Sequence, residues 1–167
     1  MKGVLRPSRR GAAKTPTEDI RTVDIKGARI LVAEDESVNR MAISGILRNM
    51  GCLPLTAVDG RELLELLEKE DADLILMDVQ MPGLDGVEAT RIIRDPARFG
   101  EKSRIPIIAL TAHAMDGDKE AFLEAGMDDY LPKPVDAGAV RRTIERVLGK
   151  AANGPPRTSS GEPADRD

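Results

Sequence analysis

Apolar and polar positions alternate along this chain in two rhythms. Short continuous apolar runs, ARILVAE (28–34), LPLTAV (53–58), DLILMD (73–78), IPIIALTA (105–112) and the shorter DDYLPK (128–133), read as strands buried on both faces. Between them, residues 37–50, 60–69, 86–94, 118–125 and 136–148 carry the spacing of amphipathic helices. Buried strands in regular alternation with helices predict parallel strands joined by right-handed crossovers, so the pattern predicts a doubly wound α/β sandwich of five β/α units. Within the first helix Val38, Met41, Ala42, Gly45 and Ile46 share a stripe, and within the last Val140, Ile144, Val147 and Leu148 do. Both stripes are expected to face the sheet.

The ends break the rhythm. RPSRRGAAKTPTED and GKAANGPPRTSSGEPADRD have the Pro, Gly, Ser and charge content of linkers. The expected organisation is a flexible basic linker at 1–27, one folded domain at 28–148 and a disordered tail at 149–167. The 167 residues suffice for one well-packed domain. Net charge is −4, but residues 1–27 carry +4, so the folded part is acidic. The basic arm has no aromatic residue for base stacking, and direct nucleic-acid binding is not expected. No apolar run reaches the roughly 18 residues of a bilayer span, so this segment is not expected to insert into a membrane. The single cysteine, Cys52, allows neither a disulfide nor a zinc cluster within one chain and reads as a buried, reduced thiol.

In open parallel sheets, ligands gather at the carboxyl ends of the strands. Those ends carry Glu34-Asp35, Asp59, Asp78, Thr111 and Lys133. If the first and third strands are neighbours, Glu34, Asp35 and Asp78 converge, and such like charges need a cation. Hard oxygen ligands suit Mg2+ or Mn2+. A hydroxyl at Thr111 and an ammonium at Lys133 would bind the oxygens of a tetrahedral anion, which is the positioning that phosphoryl transfer requires. With a carboxylate nucleophile the product would be an aspartyl phosphate. Taken singly, each residue has a plainer reading: strand-end acids are often turn formers or helix caps, and Asp59 before Gly60 is read as a cap.

The set ILVAEDESVNR, DLILMDVQMPGLDGVEATRIIR and IPIIALTAHAMDGDKEAFLEAGMDDYLPKPV resembles the receiver (response regulator) domain of two-component signalling, of the hybrid histidine kinase type, over residues 28–148. The resemblance implies a flavodoxin-like fold with strand order 2-1-3-4-5. It implies that Asp78 is the phosphoacceptor, that Asp35 ligates Mg2+ directly, that Glu34 acts mainly through a bound water, and that the Gln80 backbone carbonyl completes the metal shell. Thr111 is implied to be the switch hydroxyl, Lys133 the lysine that pairs with the phosphoryl group, and Tyr130 the rotating switch aromatic. Pro134 stands in the family's Lys-Pro peptide, often cis. Met81 and Pro82 are expected to flank an incoming histidine, and His113 to lie at the pocket rim. Glu34 departs from the more usual Asp by one methylene.

The implied partners are a histidine kinase, a histidine phosphotransfer protein, or both, and a homodimer is compatible with the pattern. The implied chemistry is self-phosphorylation and dephosphorylation, with no separate substrate turned over. The expected location is the cytoplasm, either free or as the cytoplasmic part of a membrane-bound hybrid kinase. Rival readings are a phosphorylation-independent pseudo-receiver, a haloacid dehalogenase type phosphatase and a flavin binder. The first should have lost an acid or the lysine, the second expects an Asp where Gln80 stands, and the third lacks aromatics to sandwich its ring.

Overall fold

A computed structural model of the chain describes residues 23–113 and 115–152. The readings of residues 1–22 as a linker and 153–167 as a tail lie outside the described residues. The strands are β1 (Arg29–Ala33), β2 (Leu53–Ala57), β3 (Leu74–Asp78), β4 (Ile107–Thr111) and β5 (Asp129–Pro132). The helices are α1 (Ser37–Asn49), α2 (Gly60–Lys69), α3 (Gly86–Ile93), α4 (Pro96–Phe99), α5 (Asp116–Ala125) and α6 (Ala137–Ala152), with a 3-10 turn at Gly100–Arg104. All strands are parallel, in the order β2-β1-β3-β4-β5. This is the doubly wound sheet that the alternation predicted, in the flavodoxin-like strand order that the resemblance implied.

The pleat sorts each strand into two cores. Ile30, Val32, Leu74, Leu76, Ile108 and Leu110 pack toward Ile43 and Leu47 of α1 and Val140 and Ile144 of α6. Leu31, Ala33, Ile75, Met77, Ile107 and Ala109 pack toward Leu63 and Leu67 of α2, Ala89 and Ile93 of α3 and Phe122 of α5. A central strand such as β3, buried along its whole length, has no room for polar residues until it leaves the sheet. Asp78 is the residue at which it leaves.

The structure departs from the sequence pattern, or adds to it, at three places. First, the α1 stripe is only partly inward: Val38 and Met41 are each 75% exposed and Ala42 is exposed, Gly45 and Ile46 are half-buried with Ile46 packed on the core, and the buried face is Ile43, Ser44 and Leu47. Apolar residues occur on nearly every side of this helix, and Ile43 and Leu47 complete the core over β1. Second, the segment between α3 and β4, to which the sequence pattern assigned no element, is structured. Asp95 caps α4 by accepting from the Ala97 amide at 2.9 Å, with Pro96 in the first turn. Arg94 then ties this base together, donating to the carbonyls of Gly126 (2.8 Å), Ser103 (2.7 Å) and Ile105 (2.6 Å) and pairing with Asp128 at 3.1 Å. Third, packing extends past both expected domain limits. Ile25 is buried beside Cys52, whose thiol donates to the Ile25 carbonyl at 3.4 Å, and α6 runs on to Ala152. Burial raises the Cys52 pKa, as fits an inert core thiol.

Two glycines allow the helices to close on the loop after β3. A Cβ on Gly86 would lie 2.3 Å from the Asp78 carbonyl oxygen, and one on Gly60 would lie 2.7 Å from the Leu84 carbonyl oxygen. Helix α3 therefore begins directly beneath Asp78. We expect Gly86→Ala to destabilise the domain by about 1–3 kcal/mol in urea denaturation. Gly117→Ala, where an added Cβ meets nothing within 4 Å, should be nearly neutral.

Candidate functional site

The topology satisfies the condition on which the acid cluster rests. Strands β1 and β3 pair with Ala33 opposite Met77, which sets Glu34 and Asp78 side by side at the carboxyl edge. Carboxylate oxygens of Glu34, Asp35 and Asp78 all fall within 4.8 Å of one another. Glu34 is wholly buried and Asp78 is 3% exposed, whereas Asp35 is open to solvent. On the far side β5 pairs with β4, the Lys133 amide donates to the Thr111 carbonyl at 2.8 Å, and the lysine side chain reaches back across the mouth. Its Nζ lies 2.8 Å from Glu34 Oε2 and 3.0 Å from Asp78 Oδ2.

These neighbours set the protonation energetics. Burial raises the Asp78 pKa to about 6. The Lys133 hydrogen bond pulls against that rise, and the Glu34 charge adds to it. For Lys133, burial acts to lower the pKa, but the close Glu34 and Asp78 carboxylates outweigh it and leave the value raised. The ammonium is held charged by the acids it joins.

Backbone amides order the remaining oxygens. The Gln80 amide donates to Asp78 Oδ1 at 3.1 Å, and the Glu36 amide donates to Glu34 Oε1 at 3.1 Å. Glu34 Oε2 is different. It is buried and close to Lys133 in distance, yet no properly angled hydrogen bond reaches it among the described residues. A clustered set of hard oxygens that includes such an underused atom fits a small divalent cation. Asp59, in contrast, caps α2 by accepting from the Glu62 amide at 2.8 Å, as its sequence context suggested.

The other sequence candidates divide. Thr111 stands at the end of β4, but its hydroxyl donates to the His113 carbonyl at 3.0 Å and accepts from the His113 amide at 3.2 Å, so it is held in its own loop. His113, Pro82 and Pro134 are exposed, consistent with rim positions, and the Lys133-Pro134 bond is cis. Met81 is not at the surface: it is 6% exposed and packs in the core. Tyr130 is half-buried against the α2/α3/α5 core. Two further residues touch this machinery and were not singled out in the sequence. Lys119 of α5 places its ammonium 4.9 Å from the centre of the Tyr130 ring. Arg40 of α1 donates to the carbonyls of Glu34 (2.8 Å) and Asp35 (3.3 Å). The spacing from Asp35 to Arg40 was visible in the sequence, but its meaning depends on how the loop folds back. A cavity of about 680 Å3, lined in part by Asp71, Phe99, Lys102 and Leu148, lies at the opposite end of the strands from these groups.

A parallel sheet with acids on two central strands, a lysine bridging them and a hydroxyl beside them defines an α/β domain suited to hold a cation and an anion at one carboxylate. Comparison with known proteins gives its family. The family model for the response regulator receiver domain matches residues 30–145, and the chain belongs to that family, the receiver domains of two-component signalling. It is 46% identical over 127 residues to hybrid signal transduction histidine kinase I of Dictyostelium discoideum, covering 73% of this chain and 7% of that protein. Across the first sensor kinases it resembles, the chain spans from 3% to 16% of their length. Among solved structures it resembles the receiver domain of sensor histidine kinase PA1611 of Pseudomonas aeruginosa, which has a magnesium ion coordinated in its active-site cleft. That likeness has 42% identity and a TM-score of 0.67, covering 74% of this chain and 98% of that one. It also resembles the receiver domain of Ssk1 of Saccharomyces cerevisiae, crystallised with the histidine phosphotransfer protein Ypd1, with 31% identity, a TM-score of 0.70, and 77% and 93% of the two chains covered. No helix among the described residues is long and apolar enough to cross a membrane.

A raised carboxyl pKa has a defined consequence for stability. The folded chain holds the Asp78 proton more tightly than the unfolded chain does. Ionisation of Asp78 therefore opposes folding as pH rises from 3.8 through about 6, and the full penalty is present above that window. Asp78→Asn should raise the melting temperature at pH 7.5 by about 5 °C. The gain should shrink steadily as pH falls from 6 toward 4; thermal denaturation across this range measures it.

Proposed function

We propose that this chain is a phosphorylation-dependent switch in which Asp78 accepts a phosphoryl group from a phosphohistidine, in a reaction that requires Mg2+. The observation that carries this reading is the convergence of Glu34, Asp35 and Asp78 within 4.8 Å, with Lys133 bridging Glu34 and Asp78. Asp78, Asp35 and the Gln80 carbonyl would hold the cation, with Glu34 behind them. A bound Mg2+ supplies charge neutralisation for the acids and for the incoming phosphoryl oxygens.

The chain's own groups do the rest. An Asp78 carboxylate oxygen attacks phosphorus, the P–N bond breaks, and the imidazole leaves with the bonding electron pair. Lys133, already 3.0 Å from Asp78 Oδ2, pairs with a phosphoryl oxygen as negative charge is added. The backbone amide of Gln80 limits the rotation of the carboxylate. Hydrolysis later returns inorganic phosphate and a free carboxylate, with water attacking phosphorus.

Signalling would follow from two movements. The Thr111 hydroxyl leaves His113 for a phosphoryl oxygen, and Tyr130 turns into the space this vacates. The face built from α5, β5 and α6 would carry the change to a target.

The donor would be a histidine kinase or a histidine phosphotransfer protein. Val38, Met41 and Ala42 leave an apolar surface on α1, beginning three residues beyond Asp35, and an apolar face beside a reactive pocket suits a helical partner. The co-crystallised pair that includes the Ssk1 receiver supports a phosphotransfer protein as one such partner.

Incubation with acetyl phosphate and Mg2+ should add one phosphoryl group to the intact mass, and Asp78→Asn or removal of the metal should abolish it. Met41→Glu should leave labelling by acetyl phosphate unchanged while slowing transfer from a phosphorylated protein donor by about tenfold, the scale of one interface hot spot. No adduct from any small donor would favour a phosphorylation-independent binding module.

A further inference from the structure

The three acids of the cluster are not held alike. Glu34 accepts from the Glu36 amide and faces Lys133, and Asp78 accepts from the Gln80 amide and from Lys133. The carboxylate of Asp35 makes no hydrogen bond or ion pair among the described residues, and it is exposed. Its position therefore depends on its backbone. That backbone leaves the sheet after Ala33 and enters α1 at Ser37, and the helix start gives it little support. Glu36, at the cap position, makes no capping bond, and its carboxylate instead accepts from the Asn39 side chain at 2.6 Å.

Arg40 supplies what the cap does not. Its Nη1 reaches back from α1 to the carbonyl oxygens on both peptide units that follow Glu34 and Asp35, at 2.8 and 3.3 Å. Two consecutive carbonyls held by one guanidinium nitrogen fix the orientation of the intervening residue, because that nitrogen belongs to a planar group whose N–H directions do not rotate freely. The intervening Cα is that of Asp35.

We infer that Arg40 is a positioning residue for the cation site, one that acts by locking the Glu34-Asp35 backbone so that the Asp35 carboxylate is pre-aimed at the metal. This inference rests on the reading of the acid cluster as a divalent-cation site. It makes a prediction opposite in sign to simple electrostatics. Arg40 is a fixed positive charge close to the cluster, so removing it should tighten cation binding if charge alone matters. If positioning dominates, removal should loosen binding, since groups that orient a metal ligand are worth about 10-fold to 100-fold in affinity.

The test titrates Mg2+ into the full chain by calorimetry for the unaltered protein, Arg40→Gln and Arg40→Lys, with circular dichroism to verify folding. Amide hydrogen exchange at Asp35 and Glu36 is followed in parallel without metal. The expected result is Mg2+ affinity weakened about tenfold in Arg40→Gln, with faster exchange at both amides. Arg40→Lys keeps the charge but has a shorter reach and a freely rotating ammonium, and should also bind more weakly than the unaltered chain. Mg2+ binding as tight or tighter in a folded Arg40→Gln, or full affinity in Arg40→Lys, would overturn the inference and leave Arg40 as a charge alone. Failure of the unaltered chain itself to bind Mg2+ would instead reject the metal reading, which separates the two failures.

Discussion

One lysine keeps two buried carboxylates together, and the site depends on that contact. Glu34 and Asp78 sit at adjacent strand ends with almost no access to water, an arrangement that is unstable for two negative charges alone. Lys133 resolves it by standing 2.8 and 3.0 Å from one oxygen of each. The compromise is incomplete. Asp78 remains raised to about pH 6, and Glu34 Oε2 lacks a well-directed donor. A site left short of positive charge in this way suits a cation, and under the proposed function a bound cation would free Lys133 to pair with an anion.

The fold delivers these three residues from far apart in the chain by burying everything beneath them. Because β1 and β3 are apolar on both faces, the first polar side chains they can offer are at their ends. The helices must then stay clear of the mouth while packing tightly below it. Gly60 and Gly86 allow that approach by removing the side chains that would strike Leu84 and Asp78. At the base, Arg94 bonds the carbonyls of the 3-10 turn, the β4 entry and the end of α5, tying together the opposite end of the sheet.

Much of this is legible in the amino-acid sequence. The continuous apolar runs reported a sheet buried on both faces, and the acids, Thr111 and Lys133 stood at its strand ends. What could not be read was orientation. Helix α1 has apolar residues around most of its circumference, so spacing alone could not tell that Ile43 and Leu47 face inward while Val38 and Met41 face solvent. Met81 was hidden for a similar reason, since its direction depends on the path of the loop after β3, which spacing does not report. Arg40 and Lys119 were missed because long flexible cations on helices are usually solvated, and only the folded chain brings them against the Asp35 backbone and the Tyr130 ring.

The central claim is that one covalent bond forms at Asp78. The most direct measurement phosphorylates the chain in Mg2+, reduces the acyl phosphate with borohydride, and locates the resulting homoserine by peptide mass spectrometry. The account predicts homoserine at position 78 and nowhere else. Modification at Glu34, Asp35 or any other carboxylate, with Asp78 intact, would contradict it.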